Sequence, residues 1–341
     1  MPLLRVALVG CGLISDAHIR AYAKHADRAR ITVCCDVDRA KAEDRAAVIG
    51  GGARAVTDYA DVLADPDVDA VELCTPHHLH SEAVIAAARA GKHVMCQKPL
   101  AKTLAECDAM IAACREAGVV LFYGETNRTR LAAVAAKRAI DEGRIGRLVG
   151  LQATYAHWQG GAYLSTAWRY DPAVSGGGQL LDGGIHYVNM LHQIGGPVEA
   201  VSCFTTRFRP ELGGEDTATL TLRFAGGHLG TLFSSQAAGV WYPDTTFAAF
   251  GTEGVLTLGG PLGALCLHRP DLPERREVLI ERGGDDFVTM TGRYLDTVLD
   301  GAPNPAPGEV GREDLRLVLA AYESARWGRE VRPEEMEGSA T

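Results

Sequence analysis

The first apolar run of the chain, Leu4–Val9, is short and β-rich, and it is followed at once by Gly10-Cys11-Gly12-Leu13-Ile14-Ser15 and a stretch of helical composition to about His25. This pattern predicts a strand, a glycine turn and a helix in succession. A second apolar run over 31–35 ends at Asp36, and residues 39–48 again have the composition of a helix, completing a βαβ unit. Apolar runs over 70–74, 93–96 and 119–123 then alternate with helical patterns over 82–90 and 104–117. Strands that are apolar nearly throughout are buried on both faces, so this region predicts a parallel sheet with helices on either side.

After a helix over 130–141, whose end is marked by Gly143 and Gly146, the pattern changes. Strand-like runs at 148–155, 200–208, 217–224, 230–235, 246–250 and 255–258 are separated by Gly and Pro turns, with one helix at 179–194 among them. Such runs predict a large, mostly antiparallel sheet in a second, α+β domain. Two further helices, over 287–299 and 312–327, flank the turn-forming Ala302-Pro303-Asn304-Pro305-Ala306-Pro307. The expected division is 1–124 for the α/β domain, 125–332 for the α+β domain and 333–341 for a polar, frayed tail. A length of 341 residues agrees with two domains.

Charge narrows the partners. Lys and Arg total 34 against 43 Asp and Glu, a formal net charge of -9, which argues against general attraction to nucleic acid or to an anionic membrane. No apolar run approaches the roughly 18–20 residues that cross a bilayer, and no signal peptide is expected where glycines follow one short strand. Nine cysteines, an odd number without a CxxC spacing, read as reduced, mostly buried thiols of a cytoplasmic protein.

Several segments carry candidate chemistry. Gly10 permits a tight turn, and Gly12 lets the backbone approach a pyrophosphate at a helix N-terminus, where free N–H groups and the dipole favour anions. Leu13 and Ile14 complete that turn, and the third small position holds Ser15. Asp36, at the end of the second strand, can accept hydrogen bonds from ribose hydroxyls and would repel a 2′-phosphate, favouring NAD over NADP. The competing reading of Asp36 is a helix cap for the segment that begins at Asp38.

Thr75, Pro76, His77 and His80 follow the next strong strand, at the sheet edge where ligands of open α/β folds bind. Neighbouring histidines without paired carboxylate or cysteine spacing read as a cofactor-contacting turn, so no metal is expected. Gln97 and Lys98 occupy the same edge after the following strand; a lysine there can steady the alkoxide-like charge that develops as hydride leaves. Taken alone, it reads as a solvated surface lysine.

The densest segment runs from Trp168 and Arg169 through a glycine run to Asp182-Gly183-Gly184-Ile185-His186. Asp182 and His186 stand four positions apart, on one face of a helix, where a carboxylate and a histidine can move a proton from a carbinol. By themselves they read equally as a capping acid and a core histidine. Gly183 and Gly184 suit close approach of a ligand or another backbone.

Taken in order, GCGLIS, DVD, TPHHLH, QKPLA and GGGQLLDGGIH resemble the glucose-fructose oxidoreductase / inositol dehydrogenase / MocA family, over nearly the whole chain. The resemblance implies an N-terminal Rossmann domain, a C-terminal domain whose sheet often forms the dimer or tetramer interface, and NAD-dependent oxidation or reduction of a sugar, glycoside or cyclic polyol. It implies Lys98, Asp182 and His186 as catalytic residues, with His186 as base, Lys98 on the reacting oxygen and Asp182 holding substrate. It further implies Trp168 and Arg169 as substrate contacts, with Tyr155, His157 and Trp158 as aromatic faces and donors that read equally as packing. Gln97 and Asn189 depart from the family, each standing where many relatives carry an acid. A redox-neutral, NAD-assisted glycosidase or lyase and a non-catalytic dinucleotide sensor are the competing functions.

Overall fold

The computed structural model describes residues 3–160, 166–240, 246–259, 263–282 and 284–337. The chain forms two compact units, Met1–Thr126 with Phe287–Arg312 and Asn127–Asp286 with Glu313–Thr341. Residues 287–312, which the sequence pattern gives to the second domain, therefore cluster with the first.

The first unit alternates β1 (Leu4–Val9), α1 (Ser15–Ala23), β2 (Ala29–Cys35), α2 (Arg39–Ile49), β3 (Arg54–Val56), α3 (Tyr59–Ala64), β4 (Ala70–Leu73), α4 (His80–Arg89), β5 (His93–Gln97), α5 (Leu104–Ala117) and β6 (Leu121–Gly124). Its six strands lie in the order β3-β2-β1-β4-β5-β6, and every neighbouring pair is parallel. Val6, Leu8, Leu73, Val94 and Met95 are fully enclosed, as continuous apolar strands require. Local chemistry sets the helix ends. Asp38 and Asp58 cap α2 and α3, a Thr103–Glu106 capping box opens α5, and left-handed Gly118 closes it. The strand order reverses between β1 and β4, so the crevice at their carboxyl ends is the expected ligand edge. β3 and α3 lie outside the pattern read from the sequence because three residues are too few to show a period.

The second unit contains α6 (Thr126–Thr129), α7 (Leu131–Asp141), β7 (Leu148–Ala156), α8 (Pro172–Ser175), α9 (Ile185–Gly195), β8 (Val198–Thr206), β9 (Thr217–Phe224), β10 (Leu229–Ser235), β11 (Phe247–Gly251), β12 (Val255–Gly259), β13 (Ala264–His268) and β14 (Arg276–Ile280). The helices α10 (Asp286–Asp300) and α11 (Gly308–Trp327) follow. Eight strands form one sheet in the order β14-β13-β12-β11-β7-β10-β9-β8, antiparallel except for the parallel pair β7 and β10. β9 alternates between enclosed and exposed positions, the signature of a sheet with one packed face. Leu220, Leu222, Leu232, Phe247 and Leu256 fill that face, and α9 packs beside it with Ile185, Val188 and Leu191 buried.

The tail departs from its expected fraying. Pro333–Met336 form a short turn in which Met336 is buried, while 338–341 lie outside the described residues. Among the described residues, no helix is long and apolar enough to cross a membrane. All nine cysteines are free, and eight of them are buried.

Candidate active site

The carboxyl end of β1 makes a turn that only glycine fits. Gly10 has φ of +91°, and a Cβ there would stand 2.7 Å from the Cys74 carbonyl group. At Gly12 an added Cβ would meet nothing within 4 Å, so the backbone faces open space. α1 starts just beyond, with no side-chain cap at Ile14 and with Leu13 exposed; the Ser15 and Ala17 N–H groups donate to the Gly12 and Ile14 carbonyls, and among the described residues no side chain caps the helix start.

The Asp36 carboxylate is fixed against this turn. Its Oδ2 accepts from the Cys11 N–H at 2.8 Å and its Oδ1 from the Asp38 N–H at 2.9 Å. Asp38, not Asp36, caps α2, by accepting from the Ala40 N–H at 3.1 Å. Glycine turn, uncapped helix and strand-end acid together fit a dinucleotide.

Thr75 and Pro76 lead from β4 into a tight turn at His77–Leu79, and His80 opens α4. His80 is fully buried, with Nδ1 2.9 Å from the Pro99 carbonyl oxygen and Nε2 3.0 Å from that of Thr75. Burial lowers its pKa while the facing carbonyls work the other way, and the ring links the turn after β4 to the turn after β5. That tethering role is one the sequence did not suggest. His77 packs against it, ring centroids 5.9 Å apart.

Gln97 ends β5 buried, and half-buried Lys98 follows. The Gln97 side-chain nitrogen lies 2.8 Å from Nε2 of His18 on α1. On its other side His18 presents Nδ1 at 3.1 Å from Oε1 of Glu72 on β4, and Glu72 Oε2 accepts from the Tyr22 hydroxyl at 3.0 Å. Sequence reasoning missed this enclosed string. Its one visible signal was an acid inside the apolar run Ala70-Val71-Glu72-Leu73.

In the second unit Asp182 lies in a π-helical turn, Leu180–Gly184, that runs directly into α9 with His186 in its first turn. Single π turns inside α-helices are frequent at functional sites. Asp182 is nearly enclosed, and its Oδ2 accepts from Arg169 Nε at 3.1 Å. Burial pulls the Arg169 guanidinium down to about 10, and it stacks on the Trp168 ring at 4.3 Å. The His186 carbonyl accepts from the Asn127 amide at 2.8 Å, fixing the first turn of α9.

The two glycines after Asp182 serve packing against side chains, where the sequence suggested a ligand or a backbone. A Cβ on Gly183 would stand 2.6 Å from Tyr155 Cε1 and from Gln179 Nε2, and one on Gly184 2.9 Å from Leu180 Cδ1. Tyr155 in turn stacks between His157 and Tyr187, at 4.7 and 5.2 Å. Asn189 is fully buried and gives its amide to Asp314 on α11 at 2.7 Å.

Half-buried Glu215, unmarked in the sequence, pins the start of the π turn. Its carboxylate accepts from the N–H groups of Gly178 at 3.0 Å and Leu180 at 2.8 Å and from the Tyr322 hydroxyl at 2.9 Å. The structure thus brings Trp168, Arg169 and Asp182 into contact in the second unit, with His186 one turn further along in α9. In the first unit it places Gln97 and Lys98 beside the turn at Thr75, Pro76 and His77.

A parallel sheet whose first turn opens to a pyrophosphate and whose second strand ends in a carboxylate defines the dinucleotide-binding class. Family models refine this: residues 4–125 match the oxidoreductase family with an NAD-binding Rossmann fold, and residues 133–257 match the GFO/IDH/MocA C-terminal domain. The chain belongs to the Gfo/Idh/MocA family of oxidoreductases. It is 37% identical to 1,5-anhydro-D-fructose reductase of Ensifer adhaerens over 82% of this chain and 84% of the relative. It is 30% identical to myo-inositol 2-dehydrogenase of Thermotoga maritima over 98% of this chain and all of the relative. A solved levoglucosan dehydrogenase, in complex with NADH and levoglucosan, superposes with a TM-score of 0.87 at 25% identity, covering 97% of this chain and 99% of that one.

Proposed function

We propose that this NAD-dependent oxidoreductase acts on a secondary hydroxyl of a sugar, anhydrosugar or cyclic polyol, with Lys98, Asp182 and His186 as its catalytic residues. The observation that carries the reading is the Arg169–Asp182 pair, with Asp182 in a π turn one helical turn before His186. Levoglucosan, anhydrofructose and inositol, named for the relatives, support a ring polyol as substrate.

Gly10, Gly12, Leu13 and Ile14 hold the NAD pyrophosphate, Asp36 the adenosine ribose, and Thr75, Pro76, His77 and Gln97 line the cofactor edge. Bound NAD supplies the hydride acceptor. His186 takes the hydroxyl proton as general base. Lys98 donates a hydrogen bond to the reacting oxygen and offsets its growing negative charge. Asp182, oriented by Arg169, accepts from a neighbouring substrate hydroxyl, and Trp168 lends an apolar face.

Phe204, Phe233, Phe250 and Leu229 lie in register on the open face of the eight-stranded sheet, with Phe204 75% exposed. This face supports a homodimer or homotetramer in which a second copy covers it. Nine free thiols support a reducing, cytoplasmic location.

The test is NADH formation by purified protein against inositols, anhydrosugars, free sugars and glycosides, with His186→Ala in parallel. Turnover on one ring class, lost in the variant while NAD binding persists, is the expected result. Turnover unchanged in the variant rejects His186 as base. Product without net NADH would select the redox-neutral lyase or glycosidase reading.

A further inference from the structure

The string Tyr22–Glu72–His18–Gln97 has a logic set by hydrogen-bond chemistry. Tyr22, Glu72 and His18 are enclosed, and Gln97 is 7% exposed. His18 Nδ1 and Glu72 Oε1 approach to 3.1 Å, off the line of a hydrogen bond as the ring is placed, and neither atom has a hydrogen-bond partner. On the opposite side of the ring, Nε2 meets the Gln97 carboxamide at 2.8 Å. An edge-on contact with Phe287, centroids 5.1 Å apart, closes the ring in.

A neutral imidazole carries one N–H, so only two proton arrangements satisfy both contacts. In one, Glu72 is a carboxylic acid donating to Nδ1, the ring proton sits on Nε2, and Gln97 turns its carbonyl oxygen to His18. In the other, Glu72 is a carboxylate accepting from Nδ1–H, Nε2 is a bare acceptor, and Gln97 turns its NH₂ to His18. Passing from the first to the second moves the Glu72 proton to Nδ1, releases the Nε2 proton to solvent and rotates the carboxamide by half a turn. One proton leaves in total, and no other bond changes.

We propose that Glu72 and His18 are positioning residues, which through the protonation of one and the tautomer of the other dictate whether Gln97, the residue before Lys98, turns its carbonyl or its amide away from His18. The groups facing Glu72 keep the equilibrium within reach of physiological pH. Burial pushes its carboxyl up to about 8, and the Tyr22 hydroxyl of α1 moderates the rise. Tyr294 of α10, Cys74 just past the end of β4 and Cys96 of β5 are all held neutral by burial, their pKa values raised. Burial lowers His18 to about 3, so the ring changes tautomer without taking up charge. The consequence for turnover rests on the proposed role of Lys98, whereas the tautomer exchange does not.

The experiment is ¹⁵N NMR of histidine-labelled full-length protein across pH, with the His18 signals assigned by their loss in His18→Asn. The expected result is a change from Nε2–H to Nδ1–H, with no imidazolium, whose midpoint tracks Glu72. The midpoint should move to higher pH in Tyr22→Phe, which removes a donor to the carboxylate, and the exchange should vanish in Glu72→Gln. NAD affinity measured by fluorescence should change with the same midpoint, by ~5-fold, the size of one neutral hydrogen bond. In Glu72→Gln it should be flat.

A single His18 tautomer throughout, or a midpoint unmoved in Tyr22→Phe, would overturn the exchange. An NAD affinity flat across the tautomer midpoint would overturn the link to Gln97 and leave the Lys98 reading standing. A stoichiometric metal ion retained by the wild type and lost in Glu72→Gln would also overturn the proton logic, because His18 Nδ1 would then be a ligand.

Discussion

Replacing Glu215 by alanine should loosen the π turn that carries Asp182. The carboxylate accepts from Leu180 N–H at 2.8 Å, Gly178 N–H at 3.0 Å and the Tyr322 hydroxyl at 2.9 Å. Gly178 retains a second acceptor, the Tyr322 oxygen at 3.2 Å, so two buried donors lose their main partner. Each unsatisfied donor costs about 1–3 kcal/mol, a loss of roughly 2–6 kcal/mol. Burial raises the pKa of Glu215 itself, so the native acid already carries a desolvation cost whose removal places the net loss near ~3 kcal/mol. At ~2–4 °C per kcal/mol, the melting temperature should fall by roughly 6–12 °C. Thermal melts, NAD calorimetry and steady-state kinetics on one sample series are the assay. NAD affinity should hold, because the nucleotide turn belongs to the other unit, while kcat falls. A melt within ~2 °C of wild type, or an unchanged kcat, would refute the pinning argument.

Gly10→Ala forces a Cβ to within 2.7 Å of the Cys74 backbone at a φ of +91°, so both stability and NAD affinity should drop, the latter by at least ~10-fold in a calorimetric titration. Glu72 titrates near 8 when folded against an ordinary 4.5, so the folded state holds its proton and stability falls as pH rises between those values. His18, lowered from 6.5 to about 3, makes stability fall as pH drops below 6.5. The two slopes cancel between 4.5 and 6.5, and from 6.5 to 8 the wild type should lose up to ~1.4 kcal/mol per pH unit relative to Glu72→Gln, read by urea unfolding at each pH. Asp182→Asn leaves half-buried Arg169 without its carboxylate, so kcat/KM should fall by more than tenfold with a stability loss of roughly 1–3 kcal/mol, and equal kinetics would remove Asp182 from the site.

How much of this was legible follows from which physical signals reach the sequence. The strand, glycine turn and helix at residues 4–23 read directly, because burial on both faces leaves an unbroken apolar run and the turn demands glycine. The open sheet of the second unit also read well, since one packed face writes alternation into β9. The π turn did not: its five residues differ from an α-helix by one hydrogen-bond step, which no side-chain period records. β14 escaped because it opens on Arg276-Glu277 and lies between charged residues, and β13 went unread with it. Within the site, Asp182 and His186 were visible by spacing, whereas Glu215 and Tyr322 act across 107 positions and could be paired only in three dimensions. Gly183 and Gly184 were legible as glycines but not in purpose, for the Tyr155 side chain that crowds Gly183 arrives from β7, and the Leu180 side chain that crowds Gly184 comes from the same π turn.

The lone parallel pairing in the second sheet also bears on how activity is acquired. Leu229 of β10 sits opposite Gly150 of β7, and the intervening chain carries Arg169, Asp182 and His186 together with β8 and β9. Side-by-side exits follow at the carboxyl ends, where the His157 N–H donates to the Ser235 carbonyl at 2.9 Å. Such a closure recovers its contacts only after a long excursion has been immobilised, the kind of step that slows folding. The segment carrying Arg169, Asp182 and His186 is therefore held inside the loop that this long-range seam closes. On refolding, turnover should return with the slowest phase, well after the local helices have formed.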